Sequence, residues 1–287
     1  MTPPTHLKVL IWGKTYPELS SKHAETVCTG AVDDRGRPVR LYPVPLRYLQ
    51  GAQQYRLYDI IEVRAAHNPR DNRPESHRIV PDSLTIVGRV PPDDQEWAGR
   101  REWIFRHTSW HFESLDDLDE ARLRDATSMG LIRPGRIERV YIKEKKAAAR
   151  REFEEKWETV TSQQDLFLPE YKSLEFLSHE IRIVWRCAVP CERCGQEPHD
   201  MMVLDWGLPP LHRELLPAPA DLGRHRPLVP QAPGTAAPVL GGEQAPAAVR
   251  AKMLDLTGVA RGPRVGQDPP VTVLRVAFEA GERDPAV

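Results

Sequence analysis

The chain has 287 residues, a net charge of −1 and 7% aromatic residues, enough to bury one large core or two small ones. That charge excludes a global basic field for recruiting polyanions. Four cysteines, three of them clustered, argue against a disulfide scaffold and for a reducing compartment. The opening MTPPTHLKVLIWGKTYP has no basic leader and too short an apolar run for a membrane span, so a cytoplasmic protein with no membrane partner is expected.

In chain order, residues 7–12 (LKVLIW), 26–32 (TVCTGAV) and 39–44 (VRLYPV) read as strands, with Asp33-Asp34-Arg35-Gly36 as a turn between the last two. A short helix is expected around residues 46–50. Residues 58–65 (YDIIEVRA) alternate apolar and charged side chains, the clearest strand pattern in the chain. HNPRDNRPESHR then reads as a charged loop, and residues 84–90 (LTIVGRV) as the fifth strand. Five strands without αβ alternation predict a β-barrel or rolled sheet over residues 1–92.

Residues 93–180 read as a helical region. Trp97, Trp103 and Trp110 are expected as core anchors, and Ser114 caps a helix to residue 126, with two early aspartates suiting its N-terminus. Residues 131–142 hold a Pro-Gly turn followed by a strand, and residues 143–159 form a charged helix with only Phe153 and Trp157 as apolar face. Residues 178–186 and 201–206 read as two strands of a hairpin spanning 181–210. Beyond residue 210 the sequence becomes Pro- and Ala-rich and predicts a largely disordered, flexible tail, with a candidate helical turn at 252–256 and a candidate strand at 271–278. The fold class expected is α+β.

The sharpest chemistry lies in the hairpin. Cys187, Cys191 and Cys194 are spaced C-x3-C-x2-C, and His199 follows four residues later. Two thiolates in one tight Cys-x-x-Cys turn reach one ion, and Gly195 suits that turn. Cys191, Cys194 and His199 reproduce the C-x2-C-x4-H half of a zinc knuckle, but Leu204 stands where its fourth ligand would fall. Cys187 replaces it, ahead of Asp200 and Asp205. The expected cofactor is a structural zinc in a zinc-ribbon-like hairpin.

No Gly-rich phosphate loop, Ser-His-Asp elbow or H-E-x-x-H is present. Lys14, Tyr16, Lys22, Arg40, Tyr42 and Arg47 interleave cations and rings along the N-terminal strands, which suits phosphates and bases of single-stranded nucleic acid. A half-buried sheet with a basic polar face is the plainer alternative. Residues 129–151 carry eight Lys and Arg against two carboxylates, a second basic run that reads equally as a phosphate contact or a solvated helix start. Glu62, Asp71, Glu75 and His77 form an acidic cluster that would serve an enzyme acting on nucleic acid or nucleotides, or a salt-bridged loop. A protein–protein adaptor, docking through the hairpin and the charged helix, is a third reading.

KTYPELSSKHAETVCTGAV, VRLYPVPLRYL, YDIIEVRA and RDNRPES resemble an uncharacterised bacterial family with the pattern K-T-Y-P, E-T-V-C, R-L-Y-P, R-P-E-S, over about residues 7–210. More loosely they are similar to the dual OB-containing domain. This resemblance implies an OB-like barrel that binds nucleic acid, in a setting of antiviral defence against phage and mobile DNA. It also implies a binding face with Lys14, Lys22, Arg40 and Arg73. Thr29-Gly30 stands where the pattern has Ala-Gly, and the Pro/Ala-rich tail does not look like a continuation of a globular family domain.

Overall fold

The computed structural model describes residues 3–20, 22–69, 71–91, 98–132, 134–162, 172–207 and 239–241. It is a mixed α+β structure that begins with a closed barrel. Seven strands open the chain: β1 (Thr5–Lys14), β2 (Glu18–Ser20), β3 (Ala24–Asp33), β4 (Pro38–Val44), β5 (Asp59–His67), β6 (Ser76–Ile79) and β7 (Thr85–Arg89). The ring runs β1-β3-β4-β6-β5 and returns to β1, which pairs with both β3 and β5. All its ladders are antiparallel except β4–β6, where Arg40 pairs with Ser76 and Leu41 with His77 in parallel register. β2 and β7 lie off the ring, on β3 and β5 respectively.

The barrel closes because alternate residues supply one continuous apolar lining. Val9 and Ile11, Val27 and Ala31, Val39 and Leu41, and Ile61, Val63 and Ala65 meet inside. Leu46 and Leu49, around a 3₁₀ turn at Leu46–Tyr48, and Tyr55 fill one end. Tyr55 has a buried hydroxyl, and it is satisfied at 2.7 Å by Thr29 Oγ1. Each such fully buried aliphatic or aromatic side chain contributes about 1.5–3 kcal/mol. The opposite faces of β1 and β3 turn Leu10, Trp12 and Val32 outward into a second core with Ile104, Trp110 and Leu131. Trp12 lies so close over Gly30 that a Cβ there would sit 2.9 Å from the indole.

The strand that closes the ring, β6, falls in what the sequence presents as a charged loop. The fifth strand expected, at 84–90, is instead β7, an external addition. Ser76 and Ile79 are buried while His77 is half-buried and Arg78 exposed, so β6 lacks the two-residue alternation of its neighbours, and one of its two buried places is polar.

The remainder contains α1 (Ala98–Phe105), β8 (His111–Phe112), α2 (Leu115–Asp125), β9 (Leu131–Ile132), β10 (Pro134–Glu144), α3 (Ala147–Ser162), β11 (His179–Cys187), α4 (Glu192–Gln196), β12 (His199–Met202) and β13 (Val239–Gly241). A sheet in the order β12-β11-β10-β13 packs Ile181, Ile183 and Trp185 on Leu115 and Leu118 of α2 and on Ile132. Ser114 caps α2 with a full capping box, accepting from the Asp117 amide while Asp117 reaches back to the Ser114 amide.

Three expected boundaries shift. Pro134-Gly135 is not a turn but the start of β10, bulged against the Cys187 end of β11. Lys143 and Glu144 belong to β10, so α3 starts at Ala147. The strand expected at 201–206 is β12 at His199–Met202, and residues 203–206 leave the sheet. Trp97 and the candidate elements at 252–256 and 271–278 lie outside the described residues. So does the tail, apart from β13, which pairs with β10 inside the expected linker.

Candidate metal centre and the basic residues

β11 delivers Cys187 at its end, α4 holds Cys191 at its N-cap and Cys194 in its first turn, and β12 opens with His199. The β11–β12 register, with Trp185 opposite His199, folds the hairpin so that all four side chains converge. Their ligand atoms lie within 4.8 Å of one another, and all four residues are buried. Cys187 Sγ is 4.0 Å from Cys191 Sγ, and His199 Nε2 is 3.4 Å from Cys187 Sγ and 3.3 Å from Cys191 Sγ. A tetrahedral ion with the usual metal–sulfur and metal–nitrogen lengths has edges of about 3.8 Å and about 3.5 Å, so the donor set fits one cation.

The surroundings hold the donors in place. The Leu115 amide at the start of α2 donates to Cys187 Sγ at 3.4 Å, and the Cys194 amide to Cys191 Sγ at 3.3 Å. The His199 ring packs against Trp185 at 4.8 Å between centroids, the two planes tilted by 51°. Arg193 of α4 binds Asp116 at 3.0 Å and also Asp119, fastening the knuckle to α2. Burial pushes the Cys187 thiol up to about 12, with a smaller offset from the Leu115 amide. Burial also raises Cys191 and lowers His199. At Cys194 hydrogen bonds outweigh burial and lower the thiol. A divalent cation held by these four residues would supply the positive charge that stabilises the thiolates.

The N-terminal cations are placed differently from what a solvent-facing binding surface requires. Lys14 is only 8% exposed. Its ammonium reaches the Tyr55 carbonyl at 3.4 Å and sits 4.7 Å from the Trp206 ring. Burial lowers it to about 8, partly offset by the charges of Asp205 and Asp59. Arg40 donates to Asp71 at 2.9 Å and to Ser76 at 3.0 Å, with its guanidinium 4.4 Å from the Tyr42 ring. Arg73 grips the same Asp71 from the other side at 2.7 Å and 2.9 Å. Arg47 forks onto the buried Glu25 at 2.8 Å and onto the Ser173 carbonyl at 2.8 Å. Tyr16 donates to the Glu175 carbonyl at 2.9 Å. Lys22 alone of the seven is exposed. Arg47 is therefore paired with Glu25 inside the protein, and Arg40 and Arg73 share the one carboxylate of Asp71.

The acidic cluster does not assemble as one site. Glu62 lies on the outer wall of β5, facing His6 at 3.7 Å and Lys8 at 3.8 Å. Asp71 is enclosed by Arg40, Arg73 and Ser76. Burial would raise its carboxyl, but hydrogen bonds from Arg73 and Ser76 outweigh it and hold Asp71 at about 2. Glu75 is buried and accepts from the Ser128 amide at 2.8 Å and from the Ser128 hydroxyl. His77 contacts the Glu75 carbonyl at 2.8 Å, not its carboxylate.

Sequence reasoning did not identify Trp206 as a functional partner of Lys14, nor the Leu115 amide as a partner of Cys187. Trp206 donates its amide to the Lys14 carbonyl at 2.9 Å and packs on the barrel core. The Asp205-Trp206 pair at the hairpin's exit was the available signal. Residues 5–106 match the model of a domain of unknown function (DUF8758), and residues 111–225 that of a second domain of unknown function (DUF8757). No curated protein matches the chain. No solved structure matches it either.

Proposed function

We propose that this is a nucleic-acid-binding protein whose Cys187, Cys191, Cys194 and His199 hold a structural zinc. The observation that carries the reading is the barrel's strand order. Counting ring strands only, the order is first-second-third-fifth-fourth and back to the first, with the third and fifth parallel. That is the arrangement of the oligonucleotide- and oligosaccharide-binding barrel. The plug of Leu46, Leu49 and Tyr55 between the third and fourth ring strands occupies the position of that fold's capping helix. The resemblance to the dual OB-containing domain points the same way, and the defence setting rests on that resemblance alone. The three-thiol, one-imidazole donor set favours zinc over harder cations.

Two measurements test this. Elemental analysis of the purified chain should give close to one zinc per chain, and Cys191→Ser with Cys194→Ser should abolish it; metal retained in that variant refutes the assignment. Labelled single- and double-stranded DNA and RNA should bind at low salt and release as salt rises. Absence of binding to all four rejects the nucleic-acid reading.

A further inference from the structure

Arg40, Arg47 and Arg73 of the barrel are all held by carboxylates, whereas a different set of cations is not. Arg136, Arg139 and Lys143 on β10, and Lys146 and Arg151 at the start of α3, are exposed. Among the described residues none of these five forms an ion pair. They belong to the run with eight Lys and Arg against two carboxylates, in a chain whose net charge is −1.

Aromatic rings lie among them. The Arg139 guanidinium is 5.0 Å from the Tyr141 ring. At the other end of the strand, Lys145 and Arg150 flank Phe176 at 5.5 Å and 4.8 Å. Arg139, Tyr141 and Lys143 alternate along β10, so they share its outer face while Ile142 turns into the core. Alternate residues on a strand are about 6.7 Å apart, a step comparable to the phosphate spacing of an extended single strand.

The carboxylates on this face are occupied. Arg182 holds Glu180 at 3.0 Å and Asp200 at 2.9 Å, and Tyr141 donates to Asp200 at 2.6 Å, which fixes its ring. Glu138 is taken by Arg186 at 2.8 Å. Glu144, the other acidic residue of the run, is exposed and forms no ion pair among the described residues.

We infer that single-stranded nucleic acid tracks across the outer face of β10 and the first turns of α3. Arg139 and Lys143 meet phosphates, with Arg136, Lys146 and Arg151 adding to the local positive charge, and Tyr141 and Phe176 present rings to bases. This inference rests on the nucleic-acid reading above and moves the contact surface off the residues the sequence nominated. Arg40, Arg47 and Arg73 become struts of the barrel. An anionic membrane is the poorer fit, since the rings lie half-buried along a strand and, among the described residues of the cationic run, Ile137 is the one large apolar side chain that is exposed, too little to insert between lipids.

The test uses the full chain with labelled oligo-dT and oligo-U of about 20 nucleotides. Arg139→Gln with Lys143→Gln should weaken binding about tenfold or more and lower the salt slope by about 1.4, which is about 0.7 per lost single-strand phosphate contact. Both side chains are exposed and without an ion pair of their own among the described residues, so urea unfolding should match the wild type. Lys22→Gln, on the barrel loop, should leave binding unchanged. If the β10 variant binds like the wild type while Lys22→Gln weakens binding, this inference is overturned and the nucleic-acid reading survives. If the wild type binds no oligonucleotide, both fail together. If phosphatidylserine vesicles bind as tightly as oligonucleotide and the β10 variant loses both equally, the assigned partner is overturned.

Discussion

Asp71→Asn offers the most direct probe of the clamp that locks the barrel's closing strand. Asp71 accepts from Arg40 on β4 at 2.9 Å, from Arg73 at 2.7 Å and 2.9 Å, and from Ser76 on β6 at 2.6 Å. The side chains of Arg40 and Asp71 are 10% and 9% exposed. Removing the carboxylate charge leaves a buried guanidinium without its counter-ion, at a cost of about 3 kcal/mol. A carboxyl lowered from 3.8 to about 2 contributes about 2 kcal/mol, at about 1.4 kcal/mol per pH unit. The folded value lies below the unfolded one, so between the two the unfolded chain binds more protons. The contribution is therefore complete above about pH 5, has lost about 1 kcal/mol by about pH 3 and vanishes below about pH 2. Urea unfolding of wild type and variant across that range isolates it, because other carboxylates cancel in the difference. A gap below about 1 kcal/mol at neutral pH, or a gap that does not narrow between about pH 6 and pH 3, refutes the clamp.

Glu75→Ala should cost about 3 kcal/mol by stranding the buried Ser128 amide and hydroxyl, and Glu75→Gln should cost less because one acceptor remains. Equal urea midpoints for Glu75→Ala and the wild type would contradict this. Gly130→Ala should lose about 1–3 kcal/mol, since its Cβ would lie 2.6 Å from the Phe112 ring and 3.1 Å from Leu118. Gly51→Ala, with nothing within 4 Å, should stay within about 0.5 kcal/mol; thermal melts that rank the two the other way would reject the packing described. Metal affinity, read by chelator competition, should fall as the pH is lowered, because burial holds the Cys187 and Cys191 thiols protonated and protons then compete with the ion. A pH-independent affinity would exclude thiolate ligation.

The cluster of Cys187, Cys191, Cys194 and His199 was legible in the sequence because its spacing is local. Three of its four donors fall within eight consecutive residues, and polar spacers mark the stretch as a turn. Most barrel strands were legible because their lining alternates. β6 was not, because Ile79 is its only apolar residue. Its other buried position, Ser76, is tolerated only through Arg40 and Asp71, which lie 36 and five residues away. The sidedness of the basic residues was hidden for the same reason. Alternation tells which cations share a face, but not that Glu25 waits opposite Arg47 or Asp71 opposite Arg40. On β10 the opposing strand brings Arg182 to take up Glu180 and Asp200, and this leaves Arg139 and Lys143 without an ion pair of their own.

Trp206 packs against the barrel lining more than a hundred residues after the barrel's last strand, and its amide is held by Lys14 of β1. Ser128 likewise satisfies Glu75, and Trp110 covers Trp12 at 5.7 Å. The seam between the two matched segments, near residues 106–111, is thus a boundary of description and not a physical joint. Cutting the chain there would strip the first segment of its indole lid and leave a buried carboxylate and a tryptophan uncovered. A chain carrying only the first segment would need other residues to finish its barrel.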